Sequence, residues 1–128
     1  MKRLTMIFSA LALAATAAPV FAQGGATPPA VHVTNGMLTD AKGMTLYTYD
    51  KDTVANKSAC VAQCLKNWPV LQATADDKDM GEWKVISLDD GSKAWSYKGK
   101  PLYSFAQDKA AGDKAGDNRG NMWHVAKP

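Results

Sequence analysis

From Val31 onward, apolar and polar positions alternate with a period close to two, broken by short polar turns. Val31-His32-Val33 and Met37–Thr39 read as strands around an Asn35-Gly36 turn, with a second turn over Asp40–Gly43. The next strand, Met44–Tyr49, places Met44, Leu46 and Thr48 on one face and Thr45, Tyr47 and Tyr49 on the other. Bulk on both faces predicts a strand covered on both sides, or one that shows its tyrosines to a partner. Asp50–Asn56 is a polar loop, and Ser58 stands where it can cap a short helix over Ala59–Lys66, stopped by Pro69. Leu71–Gly81 reads as a surface excursion. The β pattern returns at Glu82, turns at Asp89-Asp90-Gly91, and continues through Ala94–Tyr97, a Lys98-Gly99 turn and Pro101–Phe105. After a glycine-rich loop, Asp108–Asn121, the strand Met122–Ala126 closes the chain. Seven or eight short strands and one short helix predict a mainly β fold, a small antiparallel sandwich or barrel.

The pattern occurs twice. Gly43–Asp52 (GMTLYTYDKD) returns 56 positions later as Gly99–Asp108 (GKPLYSFAQD), both reading G-x-x-L-Y-x-aromatic-x-x-D. Trp68-Pro69-Val70 returns as Trp123-His124-Val125 at an offset of 55. The ordered region, 31–128, is therefore one domain of two tandem pseudo-repeats, about 31–71 and 82–126.

The chain starts with a basic Met1-Lys2-Arg3, an apolar run from Leu4 to Ala18 and small residues up to Ala22, the pattern of a cleaved secretory signal over 1–22. Gln23–Ala30, rich in Gly and Pro, is expected to be a disordered lead-in. No second apolar stretch is long enough to span a bilayer, so a soluble periplasmic or secreted product is expected. Removal of the signal takes away two of 15 basic residues against 12 acids, leaving a net charge of +1 on 106 residues. That balance argues against nucleic acid as a partner.

The two Y-x-[FWY]-x-x-D motifs, Tyr47–Asp52 and Tyr103–Asp108, resemble the secreted-repeat family of bacterial predicted lipoproteins, as do Cys60-x-x-x-Cys64 leading into Trp68-Pro69 and the terminal Trp123-His124-Val125-Ala126. The resemblance spans Val31 to Ala126 and implies export, not a particular chemistry. A lipobox cysteine is absent from the sequence.

Four groups of residues are candidates for chemistry. Cys60 and Cys64, exported into an oxidising compartment, read as a structural disulfide. Alternatively their thiolates, one helical turn apart, bind copper with a histidine or methionine completing the shell; His32 and His124, joined by Met37 or Met122, are a second set that would suit copper. Asp108, Asp113, Asp117 and Asn118 offer oxygens for calcium, though not at EF-hand spacing. Asp52 and Asp108, at matching repeat positions, read as side chains that close their turns on backbone N–H groups. Trp68 and Trp123 are expected to form a symmetric core pair, with Tyr47, Tyr49, Tyr103 and Phe105 as repeat-motif positions. Tyr49, Tyr97 and Tyr103, if exposed together, would form a platform for a glycan, a peptide or haem. No nucleophile motif, phosphate loop or zinc-protease motif is present. The sequence thus predicts a non-enzymatic binding or structural module without a cofactor, its partner an envelope protein or small ligand. Copper handling or redox-stress protection is the alternative.

Overall fold

The computed structural model describes residues 27–128. The signal segment expected over 1–22 and the first part of the lead-in lie outside them. The lead-in ends earlier than expected. Pro28 is fully buried and its carbonyl accepts the Val31 N–H at 2.9 Å, because a small domain has few apolar groups to spare from its core.

Among the described residues, seven short strands form three small antiparallel sheets. β1 (Val31–Thr34) pairs with β2 (Met37–Asp40), and Asn35 and Gly36 make the turn with φ of 51° and 75°, values that a two-residue hairpin turn requires. β3 (Tyr47–Tyr49) pairs with β7 (Trp123–Val125). β4 (Trp83–Ser87), β5 (Lys93–Tyr97) and β6 (Lys100–Pro101) form the third sheet. The strand expected over Pro101–Phe105 is only partly regular, since Tyr103 bridges Tyr47 on one side and Val70 on the other.

These bridges follow a pseudo-two-fold symmetry. Tyr47 and Tyr103 exchange both backbone hydrogen bonds, 2.7 and 3.0 Å, at the centre. Around them the first repeat's triad (Leu38 N–H to Ala126, Ala126 to Leu46, Leu46 to Leu38) is matched by Trp95 to Leu71, Leu71 to Leu102 and Leu102 to Trp95. Each triad borrows its middle residue from the other repeat. Leu71 is thus a sheet residue, and the polar excursion begins after it; Gln72 also bridges Ala94.

The central strands separate two cores. Leu46 and Leu102 face a cluster with Val31, Leu38, Trp83 and Trp95. Tyr47 and Tyr103 face a second cluster with Cys60, Trp68, Phe105 and Trp123. The period-two reading of Met44–Tyr49 placed these side chains on opposite faces, and both faces are covered.

The helix differs from expectation. α1 spans Gln63–Asn67 alone, with no side-chain cap, and Cys60 lies in the loop before it. Ser58 is drawn inward instead: its Oγ donates to the Cys60 carbonyl at 2.9 Å and meets the Tyr103 hydroxyl at 2.7 Å. Val61–Cys64 is a turn closed by the Cys64 N–H on the Val61 carbonyl at 3.1 Å, with Ala62 at φ 51°, ψ −114°. This is the first central position of a type II′ turn, where glycine is at ease and alanine is not.

Candidate functional site

Two tyrosine–aspartate pairs cross between the repeats. The Tyr47 hydroxyl donates to Asp108 Oδ2 at 2.7 Å, and the Tyr103 hydroxyl donates to Asp52 Oδ2 at 2.7 Å. Each aspartate also closes its own loop, Asp52 Oδ1 accepting the Ala59 N–H at 2.6 Å and Asp108 Oδ1 the Ala115 N–H at 2.9 Å. All four side chains are buried. Burial pushes both phenols well above the usual tyrosine range, and the hydrogen bonds to the carboxylates add to the shift. Burial also raises Asp52, against the pull of the Ala59 N–H, the Tyr103 hydroxyl and the Lys100 ammonium.

A count of protons separates the two pairs. Tyr47 donates to Asp108 and accepts the Gly116 N–H at 3.3 Å, so an ionised Asp108 leaves no donor unmet. On the other side Asp52, Tyr103, Ser58 and the Cys60 carbonyl form a chain of three contacts. With Asp52 ionised and accepting from Tyr103, the two hydroxyls supply only two protons for them, whereas a protonated Asp52, donating to Tyr103 in place of accepting from it, completes all three in one direction.

Between the pairs lies an aromatic stack. Tyr49 stacks on Trp123 (centroids 4.1 Å apart, planes at 15°), Trp123 on Trp68 (3.7 Å, 2°) and Trp68 on Phe105 (4.2 Å, 26°). Tyr47 and Tyr103 meet the flanking tryptophans edge-on, at 5.4 and 5.2 Å. The Arg119 guanidinium covers Phe105 at 5.0 Å. The platform expected from Tyr49, Tyr97 and Tyr103 is not assembled: Tyr103 is fully buried, Tyr97 belongs to the other core, and only Tyr49 is partly exposed. Aromatic rings on this scale are needed to fill two small cores.

Cys60 and Cys64 are bonded to each other, Sγ–Sγ 2.02 Å. Neither is then a thiolate ligand. His124 is held by Asp50 (Nε2 to Oδ2, 2.8 Å), and His32 lies on β1 opposite Thr39. Among the described residues no three His, Cys, Asp or Glu side chains converge, so the copper set does not fit this oxidised state. The acids offered for calcium turn to backbone instead. Asp113 Oδ2 accepts the Lys109 and Ala110 N–H groups, which hold its carboxyl below the usual range, and Asp117 accepts the Val125 N–H.

The disulfide fixes the end of an arm, residues 53–62, that is tied to the framework through Asn56, Ser58 and Cys60 and turns its valines outward. Val54 and Val61 on it are 60 % and 46 % exposed. A cleft of about 470 Å³ runs between the arm (Lys57, Val61, Ala62) with Leu65 of α1 and the β4–β5 turn (Leu88, Asp89). No periodicity marked these valines as surface residues. Gly116 was also missed; it lies 56 positions after Cys60, and a Cβ there would come within 2.7 Å of the Trp68 ring.

No curated protein and no solved structure matches this chain. The family described as a secreted repeat of unknown function matches twice, over residues 30–72 and 84–127, the two halves that exchange their tyrosine–aspartate bonds. With more than half of its length matched by two copies of that repeat, the chain belongs to this secreted-repeat family.

Proposed function

We propose that the domain is a non-enzymatic binding module of the periplasm or the secreted space, and that the disulfide arm is its recognition element. One observation carries this reading. The second repeat closes the same Asp–Tyr–Trp framework with Ala115-Gly116 where the first has Ala59-Cys60, and it does so without a cysteine. The framework alone therefore has no need of the disulfide, which serves the arm. The arm in turn holds two exposed valines, one of which, Val61, lines a cleft of a size that takes small ligands or a few residues of a partner. Lys57 on one wall and Asp89 and Asp90 on the other give the cleft opposite charges to orient an occupant. The module's fold is the duplicated part; its specificity is the part that is not duplicated.

Site-specific photo-crosslinking in an exporting cell tests this. A crosslinker at Val61 or Val54 is expected to give a defined adduct, and one at Val33, exposed on the remote β1 hairpin, is not. Adducts equally frequent at Val33, or none from the arm, would overturn the reading.

A further inference from the structure

We propose that the aromatic stack is a one-electron relay, in which an oxidising equivalent delivered at Tyr49 passes through Trp123 and Trp68 and comes to rest on Tyr47 as a neutral tyrosyl radical, with the phenolic proton on Asp108. Oxidation of a phenol near neutral pH requires that its proton leave with the electron, and a buried phenol without a base cannot lose it. Tyr47 has a base in place, Asp108 Oδ2 at 2.7 Å, already aligned to receive the proton. The route to the surface is continuous. Tyr49, partly exposed, lies 4.1 Å from Trp123, the tryptophans lie 3.7 Å apart in parallel planes, and Tyr47 meets Trp68 at 5.4 Å. A groove of about 260 Å³ beside Arg119 and Met122 also uncovers an edge of the tryptophan pair.

The step balances. Tyr47 gives one electron to an outer-sphere one-electron oxidant at the surface, such as a high-valent metal complex. Its O–H bond breaks, an O–H bond forms on Asp108, and the oxidant is reduced by one electron. A one-electron reductant reverses the step and returns the proton. Tyr103 is the pseudo-symmetric candidate but not the resting place. Its partner, Asp52, completes the hydrogen-bond chain only when protonated, and in that state it donates to Tyr103 and, as a neutral carboxylic acid, is far too weak a base to take the phenolic proton.

Flash photo-oxidation of the folded protein with ruthenium(III) tris-bipyridine, followed by transient absorption and electron paramagnetic resonance, tests the relay. A tryptophan radical is expected first, decaying as a tyrosyl radical grows, more slowly in deuterated solvent. In Tyr47→Phe and in Asp108→Asn the tryptophan radical is expected to live severalfold longer, while Tyr103→Phe and Asp52→Asn leave the wild-type sequence of events. A tyrosyl signal that persists in Tyr47→Phe and vanishes in Tyr49→Phe would overturn the proposal. Should the core variants not fold, the wild type decides alone: a folded protein whose tryptophan radical yields no tyrosyl radical, or does so with no solvent isotope effect, sinks it.

Discussion

The indole rings of Trp68 and Trp123 lie 3.7 Å apart and within 2° of parallel, each the other's counterpart in the repeat. Each indole also has its own repeat's aromatic partner on the opposite repeat's ring, Phe105 on Trp68 and Tyr49 on Trp123. The pair therefore cannot slide without disturbing four rings. Gly116 is pressed against the Trp68 edge, with a virtual Cβ 2.7 Å from the ring. Gly116→Ala is expected to cost about 1–3 kcal/mol through overpacking and to change the near-ultraviolet circular dichroism of the stacked indoles. Urea unfolding of the variant checks the first, and a wild-type spectrum would rule out the second.

The buried phenols set an alkaline limit. Unfolded tyrosines ionise near 10, whereas burial holds Tyr47 and Tyr103 protonated well above that. Their contribution is complete below pH 10 and is lost as pH rises, because above 10 the unfolded chain releases protons that the folded one keeps. Each adds a fall of about 1.4 kcal/mol per pH unit there. Unfolding midpoints between pH 9 and 11 should fall about half as steeply in Tyr103→Phe.

Asp52 acts with the same sign in the acid range. Its raised carboxyl means the folded state holds the proton more tightly, so its contribution is present at low pH and is lost as pH rises through the folded value. The stability of Asp52→Asn relative to wild type is therefore expected to improve from pH 3 to pH 6. Chemical denaturation at the two pH values measures the difference, and a trend of opposite sign would refute the assignment.

The disulfide closes a loop with a sequence separation of 4. Loop-closure entropy assigns such a bridge about 2 kcal/mol. The double variant Cys60→Ala, Cys64→Ala should lose about that much, with the loss of amide protection confined to residues 53–67 and the tyrosine–aspartate framework intact by hydrogen exchange.

Ala62 holds a conformation that suits glycine. Ala62→Gly is expected to raise the stability by about 1 kcal/mol, read as a higher melting temperature. An unchanged or lower value would show that the disulfide ring, and not the side chain, dictates the turn.

Period two and the repeat motif were enough to place Leu46 and Tyr47 on opposite faces, to pair Trp68 with Trp123, and to give a mainly β fold of two halves. Turn chemistry placed the Asn35-Gly36 hairpin, because positive φ has few sequence solutions. Ser58 misled because a serine before an apolar run caps helices, but a buried tyrosine hydroxyl competed for its Oγ and won. The crossing of the tyrosine–aspartate bonds was hidden for another reason. A repeat motif lists residues that belong to one copy, and here each tyrosine finds its carboxylate in the other copy, 61 and 51 residues away. The disulfide arm was visible only as cysteines; the exposed valines and the cleft arise from where the framework leaves it.

The exchange of backbone bonds between Tyr47 and Tyr103 has a consequence for what counts as a unit of this fold. Either half alone would end in an open sheet, with a phenol lacking its acceptor and an indole bare on one face. The duplication is one of sequence and not of domains, and a single copy could have closed only against a second copy of itself.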